Sequence, residues 1–121
     1  MTTNKAIQIG VGSVKESLDR FEAVWGKAAS GKKVAPIERL TFSSLPLLIS
    51  TLTPARWMLL EKLRHEGELT IYELAKKLKR HYKNVHSDVG RLSAVGLVER
   101  NADEKVFVPW DLISAELRLA A

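Results

Sequence analysis

The chain has 121 residues, 45% of them hydrophobic and 27% charged, with 19 lysines and arginines against 14 acids and no cysteine. This composition excludes a disordered tail, a disulfide-stapled mini-protein and a thiolate metal site, and the length suits one compact domain or a small domain with an association element. The excess charge of +5 is local: Lys76, Lys77, Lys79, Arg80, Lys83 and Arg91 stand against Asp88 alone, while the rest of the chain balances thirteen bases with thirteen acids. A polyanion would meet one basic face, and nucleic-acid phosphate is the usual partner of such a face.

No apolar run reaches signal-peptide or membrane-span length, so a soluble cytoplasmic protein with no membrane partner is expected. Ile7, Ile9 and Val11 alternate as in a half-buried strand. Ser13 and Glu16 form a capping-box pair, after which Val14, Leu18, Phe21, Trp25 and Ala28 recur at helical spacing up to Gly31. The stripe is either the buried face of one helix or a dimer or partner interface, and the sequence leaves both open. A polar, proline-containing piece then leads through Leu40 and Phe42 to Ser43 and a short apolar helix near Leu45 to Leu52.

Thr53-Pro54 predicts an N-cap with proline in the first turn of a helix that closes at Gly67. Leu69 suits a one-residue bridge to a sheet, and Thr70 caps a second helix carrying Ile71, Leu74, Ala75 and Leu78. After a turn at Lys79 to His81, a third helix is predicted over 82–95, ended by Gly96, with Val85, Val89, Leu92 and Val95 facing the core. LVER, NADE and KVFVPW then read as a hairpin with a polar loop. The tail DLISAELRLAA reads either as a helix capped by Asp111 or as a strand through Ile113, Ala115, Leu117 and Leu119, and the alternation favours a strand beside the N-terminal one.

In order, these elements make a winged helix-turn-helix. The run TIYELAKKLKRHYKNVHSDVGRLSAVGLVER resembles MarR-like and ArsR-like prokaryotic regulators in its Leu74-Ala75 pair, its Val85 to Leu92 spacing and its Gly96-Leu97-Val98 step. It is closer still to a group of small prokaryotic regulators with a Tyr-Lys-Asn-Val-His-x-Asp-Val helix and a hairpin ending Val-Pro-aromatic-Asp, here Val108-Pro109-Trp110-Asp111. That group shares the Leu52-Thr53-Pro54-Ala55-Arg56 start and the N-terminal extension. His81 departs from the pattern, which often has an acid there. The resemblance implies transcription regulation, and for some members an antitoxin role, with a small toxin protein as partner.

The expected fold is therefore α+β and mainly helical, with a strand-helix extension over 1–52 for dimerisation or partner binding and a winged helix-turn-helix domain with its tail over 53–121. Helix arithmetic turns Lys83, Asn84, Ser87 and Arg91 to solvent with His86 at the margin, the face that a recognition helix offers to a major groove. Asn84 suits bidentate reading of adenine, and Lys83 suits guanine or a phosphate. Lys76, Lys77, Lys79 and Arg80 are placed as phosphate anchors, although without the surrounding motif they would read as a solvated helix end complementing its dipole. Tyr82 is divided between core packing and phosphate contact. Arg100, Asn101 and Lys105, on a wing over 97–109, would reach the neighbouring minor groove or its phosphates. Asp88 is expected to pair with Arg91 or another nearby base.

Three near-motifs fail. The stretch Gly26 to Lys33 approaches a P-loop, but Lys33 replaces the magnesium-binding hydroxyl; Lys15 occupies the third glycine position of a dinucleotide fingerprint. His81 and His86 lie about 140° apart on a helix and cannot share a metal as an i, i+4 pair does. No catalytic set, metal or cofactor is expected. The competing functions are a double-stranded-DNA-binding repressor acting as a homodimer, an antitoxin that grips its toxin through residues 1–52, and an RNA-binding winged helix.

Overall fold

The computed structural model describes residues 5–12, 37–117 and 119. The predicted helical stripe of Val14, Leu18, Phe21, Trp25 and Ala28 lies outside these residues. In chain order the elements are β1 (Ala6–Val11), β2 (Ile37–Phe42), α1 (Leu45–Thr51), α2 (Pro54–Glu66), α3 (Ile71–Leu78), α4 (Tyr82–Ala94), β3 (Glu99–Arg100), β4 (Val106–Phe107) and β5 (Leu112–Glu116). Helices and small sheets are thus mixed, as an α+β protein requires. The chain divides into two compact units, one built from residues 1–48 with 110–121 and the other from 49–109.

The first unit is organised by a parallel sheet with the strand order β2-β1-β5. β1 pairs in register with both neighbours, Ile7 lying beside Glu38 and Ile113, and Ile9 beside Leu40 and Ala115. Ile7, Ile9 and Phe42 are buried on one face. On the other, Gln8 Nε2 donates to Glu116 Oε2 at 2.6 Å, and the Gln8 carboxamide oxygen accepts from Arg39 Nη1. One side chain thus links all three strands.

Two sequence expectations change here. The segment leading through Leu40 and Phe42 forms strand β2, whose partner is 31 positions upstream in the register Gln8 to Arg39. The tail forms β5 beside the N-terminal strand, as its alternation favoured, and so groups from Trp110 with that strand, whereas the sequence bounds placed it with residues 53–109. Asp111 caps no helix: its carboxylate accepts from the Lys5 N–H at 2.9 Å and its own N–H donates to the Lys5 carbonyl at 2.9 Å, which starts the β1–β5 ladder. Parallel strands need a long connection, and the chain between β2 and β5 runs through residues 43–111.

In the second unit, local signals set the helix ends. Thr53 Oγ1 accepts from the Arg56 N–H at 3.3 Å, with Pro54 in the first turn of α2. Gly67 closes that helix at φ 94, donating its N–H to the Leu63 carbonyl at 2.9 Å. Ser44 caps α1, its Oγ accepting from the Leu47 N–H at 3.3 Å. At the end of α4 the Leu97 N–H reaches the Leu92 carbonyl at 3.0 Å and Gly96 takes φ 85, a Schellman ending. Leu59, Leu60 and Leu63 of α2, Leu74 and Ala75 of α3, and Val85, Val89 and Leu92 of α4 are buried together with Leu97, Val98, Val106 and Val108. Full burial of each large aliphatic side chain is worth about 1.5–3 kcal/mol. Leu69 bridges to Val106, which fastens the β3–β4 hairpin to the segment between α2 and α3.

Candidate nucleic-acid interface

The basic stretch begins on α3, whose start is fixed by a reciprocal capping box. Glu73 N–H donates to Thr70 Oγ1 at 3.1 Å, and Thr70 N–H donates to Glu73 Oε1 at 3.0 Å. The hydrogen bonds from Thr70 hold the Glu73 carboxyl below the ordinary carboxylate range, helped by the charges of Lys105 and Lys77. At the other end Lys79 adopts φ 55 and ψ 45, and the Arg80 N–H reaches the Ala75 carbonyl at 3.1 Å. This is a Schellman ending with a lysine where glycine is the usual occupant. His81 then caps α4, its Nδ1 accepting from the Lys83 N–H at 3.3 Å.

Because Val85, Val89 and Leu92 are fully buried, α4 turns Lys83, Asn84, Ser87 and Arg91 outward, and all four are exposed. Asp88, at the border between the two faces, pairs with Arg56 and Arg80 rather than Arg91. Its Oδ1 accepts from Arg56 Nε at 3.0 Å and its Oδ2 from Arg80 Nη2 at 2.7 Å. Arg56 Nη1 also donates to the Thr51 carbonyl at 2.7 Å, at the end of α1. The Asp88 side chain is only 13% exposed, so one carboxylate fixes the pose of α4 against two guanidinium groups. Arg80 is therefore a strut of the turn, with Nη1 buried and without a hydrogen-bond partner.

The other predicted residues fall into three places. Lys77 lies 3.7 Å from Glu66 of α2 and lines an open groove with Met58, Lys62 and Leu78. Lys76 stays exposed, with its ammonium 4.9 Å from the ring centre of Tyr72. Tyr82 and His86, rings 5.8 Å apart, line a second groove of about 260 Å³ with Tyr72 and Arg100. Tyr82 is 46% exposed and so is a surface group rather than a core one. In the hairpin, Asn101 Oδ1 accepts from the N–H groups of Asp103 at 2.9 Å and Lys105 at 3.1 Å, which commits it to the loop itself. Arg100 is exposed and Lys105 half-buried, while Asp103 and Glu104 make the tip acidic.

Tyr72, Arg56 and Gly90 were not among the sequence candidates. Tyr72 was legible as an i, i+4 partner of Lys76. The tie from Arg56 to Asp88 spans 32 residues and leaves no local signal. Gly90 lies exposed in mid-helix, and an added Cβ would meet no atom within 4 Å. Nothing in the packing among the described residues requires a glycine there.

Among the described residues, no helix is long and apolar enough to cross a membrane and no group of three His, Asp or Glu side chains could hold a metal ion. None of the curated proteins matches the sequence. The family described as HVO_A0114 matches residues 51–115, a span that runs from the end of α1 through α2, α3, α4 and the hairpin into β5. This span is more than half of the chain, which therefore belongs to the HVO_A0114 family.

Proposed function

We propose that this protein is a sequence-specific, double-stranded-DNA-binding transcriptional regulator of the winged helix-turn-helix type, a cytoplasmic repressor working as a homodimer. The observation that carries the reading is the outer face of α4. Lys83, Asn84, Ser87 and Arg91 stand exposed on a helix whose opposite side is fully buried and whose pose is fixed through Asp88. A helix of this width enters the B-DNA major groove, where Asn84 reads adenine and Lys83 or Arg91 reads guanine. Lys76 and Lys79 hold phosphates on the approach side.

The β3–β4 hairpin is the wing, and its charges divide its work. Arg100 is the DNA-facing cation, while the carboxylates of Asp103 and Glu104 keep the tip off the phosphates. Duplex DNA is favoured over RNA because the deep, narrow major groove of an A-form helix does not admit α4.

Selection of bound duplexes from a random pool tests the reading, with competition by duplex RNA. The full chain is expected to enrich a defined motif and to ignore the RNA. Lys83→Ala with Asn84→Ala should flatten the preference by about 1–3 kcal/mol per lost base contact. Lys79→Ala should instead weaken all duplexes alike. A pool that shows no enrichment, or a double variant with an unchanged preference, would overturn the assignment of α4.

A further inference from the structure

The parallel sheet ends at β5, and among the described residues no strand pairs with its outer side. The Leu112 N–H donates to the Lys5 carbonyl at 3.2 Å, which sets the polarity of the strand. In a parallel ladder the N–H and C=O of one residue point to the same side and alternate along the chain. Leu112, Ser114 and Glu116 therefore direct their backbones to β1. Ile113 and Ala115, with Leu117 continuing the alternation, direct theirs to the open side.

Exposed sheet edges are normally blunted with lysine, proline, a bulge or a charge. The sequence of β5, LISAE, has neither lysine nor proline, and it pairs with β1 in unbroken register from Leu112 to Glu116. Its one charge, Glu116, is drawn back over β1 by Gln8. The opposite edge strand, β2, carries Glu38 as a charge beyond Arg39, which Gln8 also draws over β1. Apolar surface collects at the unprotected edge, where Leu112 is 58%, Leu117 46% and Leu119 89% exposed.

We infer that the open side of β5 is a homodimer interface, on which a second copy of the chain lays its own β5 antiparallel about a twofold axis through Ala115. The occupant is argued from self-complementarity. Rotation about an axis normal to the sheet sets Ala115 against Ala115 and Ile113 against Leu117, so each outward-facing N–H meets an outward-facing C=O of the other copy. Residues of one face stay on one face, and the side bearing Ile7, Ile9 and Ile113 continues into the second copy. Alanine suits the axis, where two identical side chains meet across a Cα separation of about 5.5 Å.

Neighbouring registers are worse. An axis at Ser114 sets Asp111 against Leu117, and one at Glu116 brings two carboxylates face to face. Among the described residues the dimer sheet has six strands in the order β2-β1-β5-β5-β1-β2, with the two β2 strands outermost. This interface stands independently of the DNA-binding proposal, because it can be measured without nucleic acid.

Light-scattering mass of the full chain, at tens of micromolar and without DNA, tests the interface. The wild type is expected at twice the chain mass of 13.5 kDa. Ala115→Lys puts two ammonium groups together at the axis, and Ala115→Pro removes a donor that faces away from β1; each should halve the mass while the circular-dichroism spectrum is kept. In this cysteine-free chain Ala115→Cys should form a disulfide-linked dimer under mild oxidation, because the pair separation lies within disulfide range, whereas Met58→Cys, as exposed but in the other unit, should not. A single-chain mass for the wild type would overturn the inference. So would a dimer that survives both Ala115→Lys and Ala115→Pro, or Ala115→Cys cross-linking no faster than Met58→Cys.

Discussion

Lys79 and Glu104 are the two non-glycine residues with positive φ among the described residues, at 55° and 61°. The left-handed conformation costs a side chain about 1–2 kcal/mol, part of which glycine gives back through its greater freedom when unfolded. Lys79→Gly and Glu104→Gly should therefore each stabilise the protein by roughly 0.5–1 kcal/mol in urea unfolding. Their effects on operator binding should have opposite signs: loss of the Lys79 cation weakens binding, and loss of the Glu104 anion from the wing tip strengthens it. Equal shifts in binding would contradict the roles given to the two positions. At this scale the sequence was only partly legible. The cluster of bases was plain, but glycine, the usual mark of a left-handed helix end, is missing at Lys79. Asp88 shows the same limit, since its partners Arg56 and Arg80 are chosen by tertiary packing while the sequence favours neighbours such as Arg91.

Among elements, α4 is the most informative. At 100° per residue, Lys83, Ser87, Gly90 and Ala94 fall within about 60° of one another, at the centre of the outward face. Glycine in mid-helix costs about 0.5–1 kcal/mol relative to alanine, and a methyl group on Gly90 would touch nothing among the described residues. Gly90→Ala should raise the melting temperature by a few degrees and at the same time weaken operator binding, because the methyl group would stand where the groove comes closest. Stabilisation with unchanged binding would show that this face does not approach DNA. Both ends of α2, the start of α3 and the end of α4 were legible from Thr53, Gly67, Thr70 and Gly96, each a local capping signal. β2 was not, and β5 stayed ambiguous, because what makes them strands is pairing with β1. The Lys5–Asp111 contact that begins the β5 pairing joins residues 106 positions apart.

For the whole molecule, the localised +5 is divided between holding the fold and presenting charge. Arg80 is paired with Asp88 and Lys77 with Glu66, leaving Lys76, Lys79, Lys83 and Arg91 as the exposed cations of this stretch with no ion pair among the described residues. With one of Lys83 and Arg91 on guanine and Arg100 of the wing on the backbone, about four phosphate contacts per chain should make log K fall with log salt concentration at a slope near −0.9 per contact, or about −4 per chain and twice that for a dimer on its full site. The central claim, that this face binds duplex DNA, is tested most directly by titrating salt against binding of a labelled duplex to the full chain. A slope of about −4 per chain, made shallower by about one unit in Lys79→Ala and left unchanged in Lys77→Ala, is the predicted result. No measurable duplex binding at low salt, or a slope near zero, would contradict it.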